Sequence, residues 1–164
     1  VSIRDLTMIL EGMASRATAT SDPLELTEVA RTSLRRAITH MLCAGQPTLG
    51  VYTLDPALEN IVRMGITRTN TGAFLSLGPS ATRDIVDSIG IALTRCASSA
   101  PNTQTPGSGD NIASESKHVL LTSPDIRRFV RKLIENDHPK LFVVSHAELE
   151  PELRLEVLGR AEAM

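Results

Sequence analysis

Asp22-Pro23 and Asp55-Pro56 each put a side-chain acceptor directly before a residue that has no backbone N–H to donate. Such dipeptides mark helix starts. The aspartate caps free amides of the first turn, and the proline, with φ already near the helical value, takes the first helical position. Glu25 completes a capping box behind Asp22. Ser123-Pro124 repeats the arrangement with a hydroxyl cap. Three helix starts are thereby pinned, and the short apolar runs before Asp55 and Ser123 must be strands that feed them.

The rest of the chain follows this punctuation. Ser2 caps an opening helix, Asp5 closes its Ser-x-x-Asp box, and Ile3, Leu6, Ile9, Leu10 and Met13 share one face. Residues 15–21 form a polar connector. The helix begun at Asp22 carries Leu26, Val29, Ala30, Leu34, Ile38, Met41 and Leu42 as its stripe and stops at Gly45 and Pro47. Strands are expected at 51–54, 73–77, 118–121, 141–144 and 153–158, and helices from Asp55, over 80–96 and over 124–136. The 97–116 stretch, rich in Ser, Thr, Pro and Gly, reads as a mobile loop. The order, two helices and then βαβαβαββ, predicts an α/β fold, α+β overall: a small helical subdomain at 1–48, then an α/β subdomain at 49–164 with a central sheet flanked by helices. Two helices cover each other only in part, and the chain opens at Val1 almost on a cap. It therefore reads as a fragment of a longer protein.

Composition narrows the function. Aromatic residues make up 2% of the 164, so the core is aliphatic and base-stacking platforms are absent. A formal net charge of −2 argues against a general nucleic-acid binder. No apolar run approaches the ~18 residues of a membrane span. Cys43 and Cys96 lie far apart with no CxxC, which favours reduced thiols. His40, His118, His138 and His146 show no metal-ligand spacing, so neither a metal nor a cofactor is expected.

Candidate chemistry is thin. Ser123 and His146 both follow strands and could be neighbours, but Pro124 removes the amide that would serve as oxyanion donor, so Ser123 reads as a helix cap. Gly78-Pro79-Ser80 lies between a strand and a helix without a phosphate-loop pattern. The concentrated charge is Arg127, Arg128, Arg131 and Lys132, which at i,i+4 spacing predict two basic stripes opposite the apolar face. These are either a solvated helix face or a docking patch for an acidic partner. Arg4, Asp5, Arg31, Arg35 and Arg36 form a second charged group, with the three later arginines expected to face outward.

Three segments, VSIRDLTMILEGMA, SDPLELTEVARTSLRRAIT and HVLLTSPDIRRFVRKLIE…LFVVSHAEL, together resemble, in order and over nearly the whole chain, the C-terminal cytosolic region of the large export-gate protein family of bacterial type III secretion systems (the flagellar FlhA and injectisome SctV family). SPDIRRFVRK is more similar to the injectisome branch. The resemblance implies a non-enzymatic protein on the cytoplasmic face of the inner membrane, anchored there by an N-terminal half outside this chain. It also implies a nonameric ring under the export pore that receives chaperone–substrate complexes, a gatekeeper and the ATPase stalk. On this view the chain holds most of the third and all of the fourth cytosolic subdomain. Arg4, Asp5, Arg31, Arg35 and Arg36 become candidates for subunit contacts, and Arg127, Arg128, Arg131 and Lys132 for partner docking. The 97–116 loop is longer and more polar than the family's connector. The alternatives are a small α/β ligand-binding or hydrolase domain using Ser123, His146 or Gly78, and a generic adaptor for acidic partners.

Overall fold

The computed structural model describes residues 5–20, 22–69, 72–99 and 118–163. Six helices and six strands run in the order α1 (Leu6–Ala17), α2 (Pro23–Ser33), α3 (Arg35–Cys43), β1 (Thr48–Leu54), α4 (Pro56–Met64), β2 (Ile66–Thr69), β3 (Gly72–Leu75), α5 (Pro79–Ser99), β4 (Val119–Thr122), α6 (Arg127–Ile134), β5 (Phe142–Ser145) and β6 (Arg154–Ala161). A short 3-10 turn, His146–Glu148, follows β5.

Both Asp-Pro starts form, but the capping box expected at Asp22 does not close: its amide donates to Thr20 Oγ1 at 3.2 Å rather than to Glu25. Asp22 Oδ1 accepts from the Leu24 amide at 2.9 Å, and Asp55 Oδ1 from the Ala57 amide at 2.8 Å. The serine start does not. Residues 124–126 form turns, α6 begins at Arg127, and Ser123 Oγ donates to Glu59 Oε2 at 2.7 Å instead of capping. The turn is held by the Ser123 carbonyl, which accepts from the amides of Ile126 and Arg127 at 3.3 and 3.1 Å.

Other expectations change as well. The single helix expected from Asp22 to Gly45 breaks at Leu34 (φ −91°, ψ 15°), leaving α2 and α3 as separate helices. Residues 15–17 belong to α1 rather than to a connector, and Asp5 precedes α1 with no side-chain cap. Ile66–Thr69 is an additional strand, paired antiparallel with β3. The expected loop start at 97 falls inside α5, which continues to Ser99. Ser2, Ile3, Arg4 and most of the loop expected at 97–116 lie outside the described residues.

β5, β4, β1 and β6 form a four-stranded sheet in that order, every pairing parallel. β1 and β6 run in register from Thr48↔Arg154 to Val51↔Val157, then shift by one to Tyr52↔Gly159. The extra residue is Leu158. A side chain at Gly50 would come within 2.7 Å of Leu158 Cδ1, so glycine there leaves the room that the bulge needs.

A parallel sheet must be covered on both faces, and all four residues of β4 are buried. On one face Tyr52, Leu54, Leu120 and Val143 pack with Leu58 and Val62 of α4, Ile85 and Ile89 of α5, and Phe129, Val130 and Ile134 of α6. On the other face Leu49, Val51, Val119, Leu121 and Val144 pack with Leu34, with Ile38, Leu42 and Cys43 of α3, and with Leu149. α3 therefore completes the sheet. The amide of Glu150 donates to Thr39 Oγ1 at 3.0 Å and ties α3 to the segment after β5.

Because α3 and α5 cover opposite faces of one sheet, Ile38→Ala and Ile89→Ala should each lower stability by about 2–5 kcal/mol. Both should do so within a single cooperative transition. Urea unfolding followed by far-UV circular dichroism checks this; a second transition in Ile38→Ala would mean that α3 melts apart from the sheet.

Candidate interaction surfaces

The basic run of α6 does not form two exposed stripes. The helix starts at Arg127, three residues later than expected, and this turns Arg127 inward under α2. Arg127 is 7% exposed. Its Nε and Nη2 donate to the two carboxylate oxygens of Glu28 at 2.7 and 2.5 Å. Arg128 holds Nη1 3.6 Å from Asp22 Oδ2 and lies over the Phe129 ring at 4.7 Å. Arg131 donates from Nη1 to the Leu141 carbonyl at 2.8 Å. Among the described residues of the four, Lys132 is the one that is exposed and without an intrachain ion pair.

Beneath Arg127 lies Glu148, 1% exposed. A carboxylate buried this deeply stays charged only with cations and donors around it. Glu148 Oε2 accepts from Arg31 Nε and Nη2 at 2.9 and 2.5 Å, and Oε1 accepts from Ser145 Oγ at 3.0 Å and lies 3.4 Å from Arg127 Nε. Arg31, expected to face outward, thus points to the layer beneath it. Its side chain sits off the apolar stripe of α2, and the buried acid draws it inward. Glu28 and Glu148 are the partners that sequence reasoning missed. Nothing in SHAEL marks Glu148 for burial; the 3-10 turn after β5 puts it there.

A second surface runs along α1 and α3. Arg35, Arg36 and Asp5 are exposed. Leu6 and Leu10, on one side of α1, and Met8, on the other, are each more than half exposed. Between α1 and α3 lies a groove of about 860 Å³, lined by Asp5, Met8, Arg36, His40, Cys43 and Glu150 among others. Burial, and secondarily Glu150, raise the Cys43 thiol above its ordinary pKa, so it is a poor nucleophile there. A further groove of about 750 Å³ separates the α1–α2 corner from the β2–β3 hairpin and the start of α6.

The residues of the rival enzyme site do not converge. Ser123 spends its hydroxyl and its amide on the two oxygens of Glu59, at 2.7 and 3.0 Å. Paired strands bring Thr122 and Ser145 into register, so His146 begins one residue beyond that pair, yet its side chain is exposed. Among the described residues no group of three His, Cys, Asp or Glu could hold a metal, and no helix is long and apolar enough to cross a membrane.

Comparison with known proteins gives a consistent result. The model of the FHIPEP family matches residues 1–154. The low calcium response locus protein D of Yersinia pestis is 34% identical over 160 residues, 98% of this chain and 21% of that protein. The chain thus spans about a fifth of the length of that relative. The Chlamydia pneumoniae CdsV protein superposes with a TM-score of 0.81 at 36% identity, covering 98% of this chain and 41% of that one. CdsV in complex with CdsO superposes at 0.78 and 38% identity, covering 98% and 43%. A nonameric SctV cytosolic domain from EPEC superposes at 0.76 and 31% identity, covering 98% and 43%.

The Arg63–Asp125 pair, at the edge of the second groove, has a defined pH signature. Arg63 Nε donates to Asp125 Oδ2 at 2.6 Å, and this bond lowers the Asp125 pKa below its ordinary value. A lowered folded-state pKa stabilises above the unfolded value of about 3.9 and is lost as pH falls through the folded value. Asp125→Asn should therefore cost a little stability at pH 7, because both side chains are more than a third exposed. The difference from the unaltered protein should close below about pH 4. Urea midpoints across that range measure it, and a gap that widens towards acid would contradict the assignment.

Proposed function

The chain belongs to the FHIPEP family, and on that premise we propose that it forms the third, helical and the fourth, α/β cytosolic subdomains of a type III secretion export gate. The observation that carries this reading is a match extending over 98% of the chain to a relative whose cytosolic domain is nonameric. The protein acts by assembly and docking, without catalysis or cofactor. It contributes to a nonameric ring on the cytoplasmic face of the inner membrane, below the export pore. That ring receives chaperone–substrate complexes, a gatekeeper and the ATPase stalk. The complex of CdsV with CdsO supports docking of a partner protein on a member of this family.

The geometry redistributes the charged residues among these roles. Arg4, Asp5, Arg35 and Arg36 are kept as the residues for contacts between subunits, because Asp5, Arg35 and Arg36 are exposed and Asp5 and Arg36 line one groove with Met8. Charges at such a rim set register and partner choice more than affinity. Lys132 leads the docking surface, flanked by Arg128 and Arg131, whose charges are partly committed within the chain. Arg31 and Arg127 act inside the subunit, where they hold Glu148 and Glu28.

In the full-length protein, Arg35→Glu with Arg36→Glu should leave circular dichroism unchanged. It should shift the cytosolic assembly from nonamer towards monomer in native mass spectrometry and lower secretion at least tenfold. A nonamer at wild-type abundance would remove these arginines from the subunit contact. Loss of secretion with an intact ring would reassign them to docking.

A further inference from the structure

α1 and α2 contain no buried residue, whereas α3, the next nine residues, buries Ile38, Thr39, Leu42 and Cys43 against the sheet. The change comes at Leu34, which is 5% exposed, sits in the sheet core and has non-helical φ and ψ. Its amide still donates to the carbonyls of Ala30 and Arg31, and its carbonyl accepts from Ile38, so Leu34 keeps its own backbone hydrogen bonds where the chain bends. A terminal residue anchored on one side and backbone-bent on the other is where hinge motion is absorbed.

α1 and α2 form one unit. A side chain at Gly12 of α1 would overlap Ser33 Oγ of α2, so the helices approach as closely as glycine permits. What holds this pair to the α/β layer is mostly charge. Arg31 meets Glu148, Glu28 meets Arg127, and Asp22 meets Arg128. Asp22, Glu28 and Arg31 span nine residue steps from the cap of α2 onward, about 13 Å of helix. Each partner lies on α6 or on the 3-10 turn after β5. The apolar share is modest: Ile9 is the α1 side chain that packs at the margin of the core.

We propose that the α1–α2 pair is an arm, hinged at Leu34 and latched onto the α/β layer by the Arg31–Glu148, Glu28–Arg127 and Asp22–Arg128 ion pairs. Opening the latch moves Asp5 and Met8 away from Arg36 and His40, which stay on α3, and so widens the groove between α1 and α3. Hydrophobic burial tolerates small slides, but a buried ion pair broken on one side leaves an uncompensated charge. The arm therefore has a seated state and a released state rather than a continuum.

Hydrogen–deuterium exchange on this chain tests the latch. Arg31→Met removes one cation from Glu148, but Arg127 Nε at 3.4 Å and the Ser145 hydroxyl at 3.0 Å still face that carboxylate, so the fold should survive. Exchange of amides 6–33 should rise together, at least tenfold, while amides of α3, β1 and β4 keep wild-type rates. Arg31→Lys, which keeps the charge but loses the two-pronged contact with Glu148, should give an intermediate rise. Asp125→Asn, which breaks an ion pair not involving the arm, should leave amides 6–33 unchanged. Unchanged exchange in Arg31→Met would overturn the proposal. So would a uniform rise that includes the sheet, since that reports global destabilisation instead of a released arm. Because the readout needs no ring and no partner, its failure is separate from failure of the export-gate assignment.

Discussion

A parallel sheet presents two apolar faces to whatever surrounds it, and here the two are covered by different stretches of chain. α4, α5 and α6, which connect or follow the strands, close one face. The other is closed by α3, which precedes the first strand, together with Leu149 after the fifth. Leu49, Val51, Val119 and Leu121 would otherwise lie open to water, each at a cost of about 1.5–3 kcal/mol. The sheet and the helical segment before it are thus bound by a shared core, although in sequence they look like separate pieces.

The charged residues follow from that arrangement. Once α3 is fixed on the sheet, α2 is carried over the end where β4 and β5 release their turns. Glu148 arrives there from the 3-10 turn, and a buried carboxylate needs cations and hydrogen-bond donors around it. Arg31 approaches it from above and Arg127 from the side. Arginine suits the position because its fork can meet two carboxylates in one plane. Arg31 and Arg127, which looked available to partners, are for this reason committed within the chain, while Arg35 and Arg36 stay exposed.

Much of the fold can be read from residue pattern. Asp22-Pro23 and Asp55-Pro56 start helices where local chemistry alone requires it, because cap and first-turn amide are two residues apart. The strand positions of β1, β4 and β5 follow from short apolar runs before turns. Ile66–Thr69 escapes because four residues with two threonines and an arginine carry little pattern, and only pairing with β3 makes them a strand. Ser123 looks like a cap because Pro124 follows it. Glu59, 64 residues earlier in the chain, claims both its hydroxyl and its amide.

The sequence by itself determined the helix starts, the aliphatic core, the α/β order and, through three ordered motifs, the family. Each of these depends on neighbours within a few residues or on segments read whole. The tertiary structure decided which charges are exposed. It buried Arg127, turned Arg31 inward, broke the long helix at Leu34 and paired Glu28 and Glu148 with arginines 99 and 117 residues away. Burial of a charge depends on what lies across the core from it, and that distance along the chain is beyond the reach of any local pattern.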